Sequence, residues 1–186
     1  MAESNENDKD LVEKKIKSEK IFDGTLLHVR RDTALLPDGK QATREWIVHP
    51  GASAVLPLLP NGEIILVRQY RYPVECVTLE IPAGKLDAPD EDPLDCAKRE
   101  LAEETGYHAA HIERMTTIAT TVGFSNEKIH IYLAEGLTPG RQSLDPDEFI
   151  HVVRVPLDEA CAMVRDGRII DAKSMVAILM AAQSKK

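Results

Sequence analysis

The chain has 186 residues, of which 43% are hydrophobic, and this is enough for one well-packed domain with a small appendage. Its formal net charge of -8 argues against a surface that binds nucleic acid or anionic lipid, so we expect neither a nucleic-acid nor a membrane partner. The acidity does not exclude a small anionic substrate, because a bound cation can reverse the local charge.

The cysteines and the N-terminal residues indicate the cellular compartment in which we expect the protein. Cys76, Cys96 and Cys161 are odd in number and widely spaced, so a disulfide framework is not expected. Residues 1–20 are mostly charged and lack the apolar core of a secretory signal. No apolar run is long enough to cross a bilayer. We therefore expect a soluble protein in a reducing compartment, the cytoplasm.

The predicted elements begin with a tail and a hairpin. Residues 1–12 have the composition of a flexible tail. Strand-like segments then cover residues 20–36 and 41–48, on either side of Pro37-Asp38-Gly39-Lys40. A turn sequence of this kind between two such segments predicts a hairpin.

A second hairpin is predicted directly downstream. Residues 53–59 and 63–71 are strand-like and flank Pro60-Asn61-Gly62, where the Asn-Gly pair suits a tight turn. Residues 77–81 then form a short strand that ends in Pro82-Ala83-Gly84.

The first helix is predicted to begin near Pro93. Asp92 can cap it, Pro93 suits its first turn, and Gly106 is placed to end it in a left-handed conformation. Apolar residues recur at helical spacing and predict a buried stripe. They are Leu94, Ala97 and Leu101.

The remainder of the chain alternates strands with two closing helices. The predicted strands are 112–121, 128–134 and 151–155, and the predicted helices are 157–166 and 171–183. This order of mixed strands with few helices predicts an α+β fold or an α/β/α sandwich.

Three glutamates on the first helix point to a metal. Glu100, Glu103 and Glu104 are spaced to share one helix face, near the C-terminal end where the helix dipole also disfavours anions. A divalent cation would relieve the repulsion, and carboxylate oxygens are ligands that Mg²⁺ or Mn²⁺ prefers. The alternative is a solvated acidic face, which is what charge runs usually form.

The surrounding residues resemble a known family. The pattern Gly, spacer, Glu, seven residues, Arg-Glu-aliphatic-x-Glu-Glu-x-Gly is similar to the signature of the Nudix hydrolases. The matching positions are Gly84, Glu91, Arg99, Glu100, Leu101, Glu103, Glu104 and Gly106. The spacer between Gly84 and Glu91 has six residues where the usual pattern has five, and the extra residue falls in a loop that tolerates insertion.

The resemblance implies a fold and a metal site. The fold is the Nudix α/β/α sandwich with a mixed sheet. Mg²⁺, or alternatively Mn²⁺, is held by Glu100, Glu103, Glu104 and the backbone carbonyl of Ala83, while Glu91 and Arg99 orient the carboxylates. The metal neutralises a diphosphate and activates water for attack on phosphorus.

Sequence outside the signature resembles the ADP-ribose pyrophosphatase branch of that family. The similar stretches are 44–52, 67–71, 80–85 and 123–127. They make Arg44 and Arg71 candidates for binding substrate phosphates, with structural ion pairs as the alternative. Glu80 is a candidate for touching the ligand or metal-bound water, with an ordinary strand residue as the alternative.

The same resemblance suggests a general base. Glu127 lies in a glycine-containing loop that can move, so it is the candidate base, with an ordinary loop residue as its alternative role and Glu103 as the next candidate base. Val122 stands before Gly123 where the branch usually has proline, which leaves the exact nucleotide sugar open.

The N-terminal segment is implied to form a dimer. In the similar enzymes it packs against a second subunit, so we assign residues 13–48 to a dimerising antiparallel β segment and residues 49–186 to the hydrolase domain. Phe22 is the candidate for stacking on the base, with core or interface packing as the alternative.

The resulting expectation is a homodimeric Nudix hydrolase that converts ADP-ribose and water to AMP and ribose 5-phosphate. The alternative within the class is another nucleoside diphosphate sugar, such as GDP-mannose or another ADP-sugar. The alternative outside it is a non-catalytic Nudix module that binds a nucleotide, against which the intact carboxylate face counts.

Overall fold

The computed structural model describes residues 8–88 and 90–184, which divide into two compact units. The N-terminal unit comprises the described residues up to His49 together with Thr121–Glu127. The main unit comprises Pro50–Thr120 and the residues from Lys128 onward. Residues 1–7 of the predicted flexible tail lie outside the described residues, and the Leu11 N–H bonds to the Asp8 carbonyl at 3.0 Å to close a turn.

Within the described residues the chain forms ten strands and three α-helices. The strands are β1 (Lys14–Asp23), β2 (His28–Leu35), β3 (Gln41–Val48), β4 (Ala52–Pro57), β5 (Glu63–Arg71), β6 (Cys76–Glu80), β7 (Ala83–Lys85), β8 (Tyr107–Ala119), β9 (Lys128–Pro139) and β10 (His151–Pro156). The helices are α1 (Pro93–Thr105), α2 (Leu157–Arg165) and α3 (Ala172–Ser184). None of these helices is long and apolar enough to span a membrane.

The N-terminal unit contains an antiparallel sheet in the order β1-β2-β3. The predicted hairpin between β2 and β3 is confirmed, with Gly39 in the left-handed region at φ 84°. The single strand-like run over residues 20–36 is wrong. The chain reverses there in a turn in which the Gly24 N–H bonds to the Leu27 carbonyl at 2.9 Å, so two paired strands replace one.

The main unit contains two sheets, in the orders β7-β4-β9-β8 and β10-β5-β6. The pairing of β4 with β9 is parallel and the other pairings are antiparallel, so the sheet is mixed as predicted. Successive residues of β4 point to opposite faces. Leu56 packs into a core shared with α2 and α3, whereas Val55 packs against α1.

The predicted second hairpin is wrong. Gly62 does close a tight turn, with its N–H bonded to the Leu59 carbonyl at 2.9 Å, and an isolated bridge joins Leu58 to Ile64. The strands then diverge into different sheets. The physical reason is burial: every residue of β4 is buried, as in an interior strand with partners on both sides, which β7 and β9 provide.

The later elements follow the prediction with shifted boundaries. β8 and β9 are longer than predicted, because they form one long hairpin-like ladder from Tyr107↔Pro139 to Ala119↔Lys128. α2 and α3 lie within one residue of their predicted ends.

Candidate active site

Helix α1 begins and ends as the sequence predicts. Asp92 is its N-cap and accepts a hydrogen bond from the Leu94 N–H at 2.8 Å, with Pro93 in the first turn. Gly106 ends it at φ 73° and donates its N–H to the Ala102 carbonyl at 2.9 Å. The fixed ends set the rotation of the helix, and therefore where its glutamates lie.

The turn before α1 brings backbone against two of those glutamates. β7 pairs with β4, with Ala83 opposite Ala54. The Ala83 N–H donates to Glu104 Oε2 at 3.1 Å. A Cβ on Gly84 would lie 1.9 Å from Glu100 Oε1, so only glycine allows this close approach.

Burial makes these carboxylates costly to ionise. Burial raises the pKa of Glu100 to about 7, against the opposing influence of Arg99. Burial, and then the nearby charge of Glu100, raise the pKa of Glu104 to about 8. The Glu103 side chain is 41% exposed. Two of the three predicted metal ligands are therefore buried together, and the third lies at their solvent side.

Arg99 links the predicted metal carboxylates to Glu91. Its Nη1 donates to Glu100 at 2.6 Å and to Glu103 at 3.1 Å. Its Nη2 lies 3.3 Å from Glu91 Oε1 and 3.2 Å from the Lys85 carbonyl. Arg99 thus contacts two of the glutamates that the sequence predicts it to orient, and Glu91 contacts Arg99.

The donor set suits a hard divalent cation. In residues 8–88 and 90–184, no group of three His, Cys, Asp or Glu side chains stands ready to hold a metal ion, and Arg99 Nη1 bridges Glu100 and Glu103. The chemistry nevertheless fits: buried carboxylates lie beside the Ala83–Gly84 backbone, and oxygen atoms are the ligands that Mg²⁺ prefers.

Glu148 is a further acidic residue at this site that the sequence reasoning missed. Its charge raises the pKa of both Glu100 and Glu104. The loop that carries it is tied to the end of α1, where the Ser143 N–H donates to the Glu103 carbonyl at 3.0 Å. The run Asp145-Pro146-Asp147-Glu148 was the available signal, but such a run also suits an exposed loop.

Arg71 and Glu80 lie together in one ion pair. Arg71 donates from Nε and Nη2 to the two Glu80 oxygens, each at 2.7 Å. Thr78 Oγ1 donates to Glu80 Oε1 at 2.6 Å, and Lys173 Nζ donates to Oε2. Burial alone raises the pKa of Glu80, but these partners outweigh it and hold the pKa at about 2. Lys173 was not predicted.

The other predicted site residues belong to the N-terminal unit. Arg44 forms a two-bond pair with Glu13, at 2.9 Å from Nε and 2.5 Å from Nη2. The Phe22 side chain is exposed. Glu127 Oε1 lies 3.4 Å from His49 Nε2. Their predicted roles toward the substrate stay predictions.

Two family models together cover most of the chain. Residues 48–177 match the NUDIX domain, and residues 13–47 match the nucleoside diphosphate sugar hydrolase N-terminal domain. The chain belongs to the Nudix family. It is a Nudix pyrophosphohydrolase similar to ADP-ribose pyrophosphatases.

Individual relatives agree with this membership. The chain is 43% identical to an ADP-ribose pyrophosphatase of Bacillus subtilis (strain 168), over 91% of this chain and 92% of the relative. It is also 43% identical to a methanol dehydrogenase activator of Bacillus methanolicus, over 89% and 90%. A crystal structure of an ADP compounds hydrolase superposes with a TM-score of 0.81 at 22% identity, covering 92% of this chain and 93% of that one. The predicted mixed α+β Nudix fold with an N-terminal antiparallel sheet is thereby confirmed.

Proposed function

We propose that this Nudix chain hydrolyses the diphosphate of ADP-ribose to AMP and ribose 5-phosphate, with Mg²⁺ as the cofactor. The observation that carries the proposal is the buried Glu100–Glu104 pair against the Ala83–Gly84 backbone, within the family signature. The choice of ADP-ribose is supported by 43% identity to a relative named as an ADP-ribose pyrophosphatase.

The metal site is assigned to residues of α1 and β7. Glu100, Glu103, Glu104 and the Ala83 carbonyl would hold Mg²⁺. When bound, it supplies charge neutralisation of the diphosphate and a lowered pKa for the attacking water. Glu91 and Arg99 hold the acidic side chains in place through the contacts described above.

Arginines are assigned to the diphosphate. Arg71 is anchored by Glu80, yet 41% of its side chain is exposed, so its outer edge can reach a phosphate oxygen. Arg44 is equally suited by chemistry and would exchange Glu13 for the substrate. Phe22 offers an exposed ring for stacking on the nucleobase.

Two glutamates compete for the role of general base. Glu127 is the candidate from sequence, and its Oε1 lies 3.4 Å from His49 Nε2. Glu148 is favoured because its loop is tied to the end of α1 by the Ser143–Glu103 backbone bond, and its charge acts on Glu100 and Glu104. A base must come within hydrogen-bond reach of the attacking water, and a residue beside the metal carboxylates meets that condition most directly.

The test of the proposed function is a substrate panel with Mg²⁺. ADP-ribose, another ADP-sugar, GDP-mannose and a nucleoside triphosphate are assayed in parallel, and products are identified by chromatography. Hydrolysis in ¹⁸O-labelled water then shows which phosphorus is attacked. We expect AMP and ribose 5-phosphate from ADP-ribose, with weaker cleavage of other nucleotide sugars. Cleavage of the triphosphate alone would overturn the substrate class.

A second candidate function is activation of a dehydrogenase. It is favoured by 43% identity to a relative named as a methanol dehydrogenase activator. The test measures methanol dehydrogenase turnover with and without this chain, using wild type and Glu104→Gln. Activation by wild type alone links the effect to hydrolysis, activation by both variants points to a nucleotide-binding module, and no activation removes this candidate.

We propose that the chain is a homodimer joined through its N-terminal sheet. The whole of β1 is exposed, including large apolar side chains. They are Ile16, Ile21 and Phe22. Ile16→Glu should weaken the dimer in sedimentation experiments, whereas Lys15→Glu, which changes a neighbouring exposed residue, should weaken it less. A wild-type monomer at micromolar concentration with full activity would contradict the dimer.

A further inference from the structure

Lys173 is a buried lysine that the proposed mechanism does not use. It stands in the first turn of α3, and 9% of its side chain is exposed. Its Nζ bonds to Glu80 Oε2 and lies 3.0 Å from Asp171 Oδ1. Lysines are seldom buried to this extent unless they are paired, so these two contacts account for its place in the fold.

Ser174, the next residue of α3, bonds to Ile81, the residue that follows Glu80. Ser174 Oγ accepts a hydrogen bond from the Ile81 N–H at 2.8 Å and donates to Asp171 Oδ2 at 2.5 Å. Both Ser174 and Ile81 are fully buried. Lys173 therefore holds the Glu80 side chain and Ser174 holds the Ile81 backbone, immediately before the turn that carries Ala83.

The fixed position of Glu80 in turn fixes the position of Arg71. A planar guanidinium forms two parallel bonds only with a carboxylate that lies in its own plane. Lys173 and Thr78 each donate to a different oxygen of Glu80, which leaves the carboxylate little freedom to rotate. Arg71 is consequently held by Nε and Nη2, while 41% of its side chain remains exposed.

The cluster also reaches the proposed metal site. The charge of Lys173 lowers the pKa of Glu104, although burial raises it overall, and Arg71 interacts electrostatically with the same glutamate. The ion cluster and the proposed metal carboxylates are also linked through the chain, because Glu80 shortly precedes Ala83, whose N–H donates to Glu104 at 3.1 Å.

We propose that Lys173 is a positioning residue that fixes Glu80 and, through Glu80, aims the Arg71 guanidinium at the substrate diphosphate. This inference rests on the proposed function for its substrate, and it gives Glu80 an anchoring role in place of direct contact with the ligand. The C-terminal helix thereby takes part in substrate recognition without touching the substrate.

The first experiment compares Lys173→Met with Lys40→Met, a matched change at an exposed lysine in the hairpin between β2 and β3. Misplacing a substrate-binding group by about 1 Å can cost on the order of 10²-fold. We expect Lys173→Met to raise KM for ADP-ribose by about tenfold or more, with a smaller fall in kcat, because a ground-state phosphate contact is loosened. Wild-type KM in Lys173→Met would overturn the proposal.

A second set of variants separates positioning from stability. Lys173→Met alone leaves the buried Glu80 with one cation fewer and should lower the melting temperature. Glu80→Gln with Lys173→Met removes both charges, so the melting temperature should recover. If Lys173 acts through Glu80, the double variant keeps the raised KM of Glu80→Gln alone. Recovery of wild-type KM together with stability would show a merely structural role and overturn the proposal.

A readout independent of activity is the Arg71 side chain itself. In ¹⁵N NMR spectra the Arg71 Nε–H should exchange slowly with water in wild type, because it is bonded to Glu80. Lys173→Met should speed that exchange, and Lys40→Met should not. An unchanged exchange rate in Lys173→Met overturns the positioning role even if no substrate is cleaved. Failure of wild type to cleave any nucleotide sugar, with the exchange difference present, would instead refute the proposed substrate.

Discussion

Glu80 and Glu104 are both almost completely buried in the main unit, yet their pKa values shift in opposite directions. The pKa of Glu80 is held at about 2, whereas burial raises the pKa of Glu104 to about 8. Their surroundings differ in the number of cations. Glu80 accepts hydrogen bonds from Arg71 and Lys173, whereas Glu104 Oε2 accepts one from the Ala83 N–H, with Glu100 close by.

The difference separates a structural ion cluster from a binding site. A buried carboxylate is stable when cations and hydrogen-bond donors compensate for lost hydration. The Glu80 cluster contains that compensation within the chain. Arg99 bonds to Glu100, but the pKa values of Glu100 and Glu104 both stay raised, so further positive charge would stabilise the pair. The proposed metal site is therefore the place where buried acids have too few cations beside them. The Glu80 cluster, in which Arg71 and Lys173 balance the acid, is the scaffold; we call it the balanced cluster.

The largest expected effect is at Glu104. Glu104→Gln should lower kcat/KM with Mg²⁺ by about 10³-fold, because a metal contributes several kcal/mol to the transition state. The fold should persist, and without metal the melting temperature should equal or exceed that of wild type, since burial disfavours the charged form of Glu104 and the glutamine is neutral. Steady-state kinetics, calorimetric Mg²⁺ titration and thermal unfolding test this.

The matched control is Glu113→Gln, which changes an exposed glutamate on β8 and should leave all three measurements unchanged. Wild-type turnover by Glu104→Gln at saturating Mg²⁺ would contradict the assignment of the Glu100–Glu104 pair, as opposed to the Glu80 cluster, to the metal site.

The next effect concerns the base. Glu148→Gln should lower kcat by about 10²-fold with little change in KM, because a general base acts mainly in the transition state. Asp147→Asn, at the exposed neighbouring residue, is the control. Glu127→Gln is measured in parallel. A larger loss of kcat in Glu127→Gln than in Glu148→Gln would assign the base to Glu127, in the N-terminal unit, instead of Glu148.

The sequence predicted α1 almost completely because its determinants are local. Asp92, Pro93 and Gly106 each act on backbone within a few residues, so the ends of the helix and the positions of its glutamates follow from neighbours in sequence. The shared face of Glu100, Glu103 and Glu104 follows from the same local signals, and its role in holding a metal stays a prediction.

Strand partners were harder to predict because they depend on distant segments. The turn at Gly62 forms as expected, but β4 pairs with β9, which lies far along the chain. Every residue of β4 is buried, Ser53 included, so the strand carries no alternation that identifies its partner. In the N-terminal unit, Gly24 was the signal for a turn inside the run that was taken as one strand.

The balanced cluster was missed because its cation comes from the C-terminal helix. Glu80 and Arg71 were both predicted as substrate residues, but nothing near them in sequence indicates Lys173. A signal did exist on α3: Lys173 stands four residues before Ala177, which is fully buried, so the two share the apolar face of the helix. A lysine on that face requires a buried anion.

The Glu80 cluster should also appear in the acid stability of the protein. Lowering the Glu80 pKa from 4.5 to about 2 on folding corresponds to on the order of 3 kcal/mol. Because the folded pKa is depressed, this stability is present above pH 4.5 and is lost as the pH falls toward 2. Urea unfolding of wild type and Glu80→Gln should therefore differ most near pH 7 and converge toward pH 2. A pH-independent difference would show that charge is not what Glu80 contributes.

The smallest expected effect tests whether the neutral bond from Ile81 to Ser174 on α3 stabilises the fold in addition to the Lys173–Glu80 ion pair. Ser174→Ala removes the acceptor of the buried Ile81 N–H and should cost about 1–2 kcal/mol of unfolding free energy, the penalty of one unsatisfied buried donor. Ser184→Ala, near the exposed end of the same helix, is the matched control and should cost almost nothing. An equal loss in both variants would mean that the Ile81 bond adds nothing, and the scaffold would then depend on the Lys173–Glu80 contact alone.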